Sequence, residues 1–244
     1  MAGRVGAFRL VPPVLTPRAL VAVRALVFTL AAVPLVLLIQ RGVAGGLGAN
    51  PVEEILRWLG TWTLVLLLVT LAVTPARRLT GWTWLVRLRR MLGLYSFFYA
   101  TLHVVTFVWL DHWFDWTSIV ADILKRPYLT FGFVAFALMV PLALTSTQAM
   151  VRKLGGRNWQ RLHRSVYLIG VLGVLHYWFH KLAKNDLSEP MIYAAVLAVL
   201  LGVRVLEAVS SRTRGQGFAA GRSLQGSVDS PAKSSVTVSR RRTQ

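Results

Sequence analysis

Apolar residues in this chain fall into six long runs, and polar residues collect between them. The runs are roughly Ala19–Ile39, Trp58–Val73, Met91–Leu110, Tyr128–Thr147, His163–Leu182 and Met191–Val209. Most approach the twenty or so residues that a helix needs to cross the hydrocarbon core of a bilayer. Burial in the core of a soluble domain does not account for so many runs of that length. The pattern predicts an all-α integral membrane protein, a single six-helix bundle over residues 19–209 with no internal repeat. Thr74-Pro75 is expected to stop the second span, Pro141 to bend the fourth and Pro190 to open the sixth. Residues 1–18 form a short basic arm with Pro12, Pro13 and Pro17. Residues 210–244 are rich in Ser, Gly and Arg, and a disordered tail is expected there.

Composition agrees with the pattern. Of 244 residues, 55% are hydrophobic and only 15% charged. The formal charge of +19 invites a nucleic-acid partner, but the position of the charges points to a membrane instead. Only six of the 28 Lys and Arg fall in the loops after the first, third and fifth runs: Arg41, Arg57, Lys125, Arg126, Lys181 and Lys184. Seven of the nine acids share that side. The positive-inside rule then places both termini in the cytoplasm, which an even number of spans satisfies. Trp109, Trp113 and Trp116 mark the opposite interface. Arg4, Arg9 and Arg18 precede the first run and no clear small-residue cleavage site follows it, so that run is expected to be retained as a helix. The chain has no cysteine, which excludes disulfides, thiolate catalysis and cysteine-held iron–sulfur clusters.

With this topology the histidines can be compared by depth. His103 lies about 18 Å along the third span and His176 about 20 Å along the fifth, both measured from the cytoplasmic end. Two parallel helices presenting imidazoles at one level suit a bis-histidine haem, the macrocycle lying between spans three and five. His163 sits near the cytoplasmic end, where Arg89 or Arg90 occupies the level a partner histidine would need. It is left either as a ligand of a second haem or as an interfacial histidine meeting headgroups or water. A histidine inside a span can also simply hydrogen-bond a neighbouring helix, or belong to the proton relay of a transporter. His180, one turn beyond His176, is expected to be solvated, and His112 receives no role. The arginines at the cytoplasmic ends of spans three and five set topology or pair with propionates, phosphates or headgroups.

The segment from Arg89-Arg90-Met91-Leu92-Gly93 to Leu102-His103 resembles the third-span signature of the ferric-reductase-like membrane domain. More narrowly, the chain resembles the MsrQ (YedZ) family of haem-binding membrane subunits. The likeness continues through Thr70–Pro75, Lys125–Tyr128, Pro141–Ser146, Trp159–Arg164 and Leu175–Trp178, about residues 55–182 in all. It implies b-type haem, electrons drawn from the respiratory quinone pool and delivered to MsrP, and a place in the bacterial inner membrane. MsrP is a periplasmic molybdopterin enzyme that reduces methionine sulfoxide in oxidised proteins. The resemblance also implies flavin mononucleotide as a further cofactor of some relatives. In the wider superfamily spans three and five carry two histidines each; His103, His163 and His176 fit three of those positions and the fourth falls at about Arg89. A ferric or metal reductase of cytochrome b type is the other redox reading. No Gly-rich nucleotide fingerprint is present, so oxidation of a nicotinamide cofactor by this chain alone is not expected. The 111–127 and 182–190 loops are expected to dock the periplasmic partner.

Overall fold

A computed structural model describes residues 15–182, 185–206 and 209, with no strand among them. Most of the basic arm, residues 1–14, and the tail from 210 onward lie outside the described residues. The chain divides into residues 1–201 and 202–244; in the second unit the described residues, 202–206 and 209, are helical.

Nine helices follow one another among the described residues. They are α1 (Pro17–Val43), α2 (Pro51–Thr80), α3 (Val86–Thr106), α4 (Trp116–Lys125), α5 (Pro127–Leu144), α6 (Gln148–Leu154), α7 (Gly156–His163), α8 (Val166–Leu182) and α9 (Ser188–Leu206). A 3₁₀ turn, Thr83–Leu85, leads into α3, and a π-helical turn, Phe107–Asp111, extends it. Local chemistry sets several of the starts. Thr16 accepts from the Ala19 N–H (3.2 Å) just ahead of Pro17, and Asn50 accepts from the Glu53 N–H (3.3 Å) just ahead of Pro51. Each pair satisfies an N–H that the helix leaves open and spends proline where no N–H is needed.

Five segments are long and apolar enough to cross a membrane by length and composition: α1, α2, Thr83–Asp111, α5 and α9. The fifth expected span falls on α8, which has 17 residues, about 25 Å of helix. It is shorter than expected because the chain turns at Arg164 and Ser165, so that His163 ends α7 instead of opening α8. A second correction concerns α2, which does not stop at Thr74-Pro75. The Pro75 ring is buried and the helix continues to Thr80, where Gly81 (φ 75°) ends it in the left-handed conformation. Neighbouring helices offset the hydrogen bond that an internal proline removes, which is why membrane helices tolerate it.

The bundle is organised around α2. Leu59, Leu66 and Val73 pack with Ala31 and Leu38 of α1 and Leu88, Leu92 and Tyr99 of α3. Another face of α2, carrying Leu64, Leu67, Leu68 and Leu71, packs with Ala135 and Met139 of α5, Ile169 and Val174 of α8 and Leu197 of α9. A helix apolar on every side finds neighbours on every side.

Tyr99 ties α3 to a break in α1. Pro34 sits inside α1, and the Tyr99 hydroxyl enters the ladder one residue later. It accepts from the Leu35 N–H (3.1 Å) and donates to the Ala31 carbonyl (2.8 Å), two groups that would otherwise bond each other. The ring is fully buried. Tyr99→Phe is expected to lower stability by about 1 kcal/mol, because interhelical hydrogen bonds in membranes are worth little more than that and α1 can partly reclose its own ladder. A shift in the midpoint of unfolding by dodecyl sulfate in mixed micelles measures it.

Candidate functional site

His103 and His176 come from different helices and meet. Their ring centroids are 6.1 Å apart and the rings are nearly perpendicular, at 86°. Each is aimed from behind by a backbone carbonyl. The His103 Nδ1–H donates to Leu56 O of α2 (2.9 Å), and the His176 Nδ1–H donates to Tyr128 O of α5 (2.7 Å). A carbonyl can only accept, so in each neutral ring the proton is on Nδ1 and the lone pair on Nε2. This is the orientation that second-sphere carbonyls impose on metal-binding imidazoles.

Both rings can reach their carbonyls because a glycine stands four residues later on the same helix. A Cβ at Gly60 would lie 3.1 Å from His103 Cε1, and a Cβ at Gly132 only 2.7 Å from His176 Nδ1. Helical Cβ atoms tilt toward the N-terminus, so a side chain at that position would cover the carbonyl one turn back. Leu56 with Gly60, and Tyr128 with Gly132, are thus the same device built twice. Sequence reading gives none of the four a role in the site. The available signal was a glycine within an apolar helix, which costs about 1 kcal/mol against alanine and so asks for a reason.

The two histidines face a cavity of about 460 Å³. Its depth is apolar, with Leu64, Leu67, Phe136, Met139 and Ile169, and the other end of the wall is polar, with Asn50, Glu53, Arg57, Asp111, Arg126 and Tyr128. The size is that of a small-molecule or cofactor site. His180, expected to be solvated, is half-buried on the cavity wall, its ring 5.3 Å from that of Tyr128. Tyr177 also lines the cavity and donates to Glu189; Lys181 reaches both Glu189 (3.2 Å) and Asp186 (3.1 Å). The Ser188 hydroxyl, and after it Lys181, hold the Asp186 carboxyl below its usual range.

His163 is not part of this cavity's wall. It stacks on Trp159 one turn back (3.9 Å between centroids, 24°), and its Nδ1–H donates to the Trp159 carbonyl (3.1 Å). Its Nε2 is buried without a hydrogen-bond partner. His112, given no role, lies between two carboxylates, Nδ1 3.4 Å from Asp111 and Nε2 3.5 Å from Asp122.

The His103–His176 geometry suits one metal ion between two imidazoles. Metal–imidazole bonds are about 2 Å long and a ring nitrogen is about 1 Å from its centroid, so two rings on opposite sides of one metal have centroids about 6 Å apart. The observed spacing agrees. The donor set, two nitrogens with no carboxylate or thiolate, is one of those that hold haem iron.

The family described as ferric reductase like transmembrane component matches residues 59–174. A protein-methionine-sulfoxide reductase heme-binding subunit MsrQ from Ralstonia nicotianae is 60% identical over 196 residues, covering 80% of this chain and 90% of the relative. The subunit of the same name from Herminiimonas arsenicoxydans is 50% identical over 84% of this chain and 94% of its own length. The one from Rhodospirillum rubrum is 53% identical over 79% and 92% respectively.

Proposed function

Since the chain belongs to the MsrQ family of protein-methionine-sulfoxide reductase heme-binding subunits, we propose that it is the membrane electron-transfer subunit of such a system, drawing on the quinone pool and serving the periplasmic enzyme MsrP. The observation that carries this reading is the pair of Nε2 lone pairs, each set by a carbonyl behind its ring, on rings 6.1 Å apart on the wall of one cavity with an apolar depth. His103 and His176 would hold a b-type haem through their Nε2 atoms. When bound, the haem supplies a one-electron carrier at the level of the bilayer where the two rings meet.

The chain's own residues do the rest. Leu56 and Tyr128 fix the tautomer, Gly60 and Gly132 make room for the rings, and the apolar wall excludes water. The polar end of the cavity, with Arg57 and Arg126, would take the charged edge of the group. His163, with its buried and unpartnered Nε2, is the residue available to a second haem or to a flavin mononucleotide near the cytoplasmic face. The charge distribution supports the inner membrane with residues 1–18 and 210–244 in the cytoplasm.

The test is optical. Purified full-length protein is expected to show a b-type difference spectrum on reduction with dithionite, and the same reduced bands on addition of a quinol. Adding MsrP and methionine sulfoxide should then reoxidise it. A colourless protein, after supplementation with haem during expression, would overturn the haem reading. A coloured protein indifferent to MsrP but oxidised by ferric chelates would favour the metal-reductase reading.

A further inference from the structure

α4 is ten residues long, about 15 Å, which is too short to cross a membrane. It joins two segments that are long and apolar enough to cross, Thr83–Asp111 and α5, so it lies at one end of the bundle. Its two faces are unlike. On one, Ile119 is buried with Phe107 and Leu129, residues that also line the cavity. α4 therefore packs against two residues of the cavity wall from outside. On the other, Trp116, Val120 and Leu124 recur every fourth residue and are 63%, 53% and 78% exposed. Such spacing makes one stripe.

The turn before α4 extends the stripe. Trp113 (φ 47°) and Phe114 (φ 62°) are consecutive bulky residues in the left-handed region, which such residues seldom enter. Both rings are exposed. The nearby acids, expected to face a protein partner, are used within the segment. Asp115 caps α4 through the Thr117 and Ser118 N–H groups, Asp111 and Asp122 flank the His112 ring, and Asp122 also pairs with Arg126 (3.5 Å).

We propose that α4 and the Trp113–Phe114 turn lie in the membrane–water interface, with the Trp116, Val120 and Leu124 stripe immersed in lipid, so that the bilayer itself holds α4 against Phe107 and Leu129 of the cavity wall. Indoles favour that depth, a short helix with opposed apolar and packed faces suits it, and Lys125 closes the helix where phosphate headgroups would meet it. The inference needs the bundle to cross a bilayer and does not depend on what the cavity binds.

The absence of cysteine allows a direct test. Val120→Cys and Leu124→Cys are each labelled with a nitroxide in the full chain, in nanodiscs of phosphatidylethanolamine and phosphatidylglycerol. References are Val36→Cys on the exposed face of α1 and Asn185→Cys in the α8–α9 loop. Collision with oxygen, which concentrates in lipid, is compared with collision with a water-soluble nickel chelate. Both α4 sites are expected to rank with Val36. Ranking with Asn185 at both sites overturns the proposal, and so does a nickel-accessible stripe that becomes shielded only when MsrP is added, because the face would then be a protein dock. Because both substitutions replace exposed side chains, each reads independently if the other fails to elute as folded protein.

Discussion

His176→Ala is expected to lower the haem content of the purified protein at least about tenfold, and His103→Ala to do the same. Loss of a second-sphere partner alone typically costs 10–100-fold in metal affinity, so loss of a residue that would hold the iron itself sets that range as a floor. The two effects should be similar because each imidazole is held by the same device, a Nδ1–H on a carbonyl one turn before a glycine. His163→Ala is expected to leave this absorbance in place, since its ring lies on another helix and off the cavity wall. If two haems are present, it removes at most the second. Haem-to-protein ratios on the three variants decide it. A His176→Ala protein with full haem content would mean that His103 and His176 meet for structural reasons only.

How far the sequence revealed this arrangement depends on the distance over which its signals act. Apolar runs are long, and the bilayer selects for length and composition, so the all-helical membrane bundle was readable from the pattern alone. Depth along a span needs only a rise per residue and a direction, and on that basis His103 and His176 were expected at one level; their rings do meet. Helix ends were less legible. Thr74-Pro75 reads as a stop, yet the neighbours of α2 offset the missing bond and Gly81 ends the helix instead. The break at Arg164–Ser165 carries no proline or glycine, so His163 read as the start of the helix that holds His176. The carbonyls behind the two imidazoles could not be read from side-chain identity, because every residue has one. Only the glycines betrayed them.

The short helices show the same division. From sequence alone, the segment that holds α4 reads as an acidic, Trp-rich loop with a docking role. Its acids do carry charge, but Asp115 is spent on a cap and Asp111 and Asp122 on His112 and Arg126. Net charge of a segment does not say which way the charges face, whereas the four-residue spacing of Trp116, Val120 and Leu124 does.

Gly132→Ala is expected to deplete haem nearly as much as loss of a ligand, without altering any ligating residue. Two effects oppose each other at this position. Alanine is the better helix former by about 1 kcal/mol, which favours α5 in the empty protein. Against this, the new methyl would stand 2.7 Å from His176 Nδ1, 3.0 Å from Cε1 and 3.3 Å from Cγ. The obstacle is the flat side of a rigid ring, not the end of a flexible chain, and that ring is anchored at 2.7 Å to Tyr128 O. Relief requires either that α5 and α8 separate or that the ring swing away from its carbonyl. Both move Nε2, and metal sites lose function over displacements of about 1 Å. Haem content should fall about 10–100-fold while the helical circular dichroism stays unchanged. Gly60→Ala, whose nearest contact is 3.1 Å to His103 Cε1, should lose less. Gly93→Ala on α3, with 3.6 Å to Thr70, should lose nothing. The ordering Gly132 over Gly60 over Gly93 is what steric closeness to the imidazoles predicts. Equal haem content in all three variants would show that the glycines are not what lets the histidines reach their carbonyls.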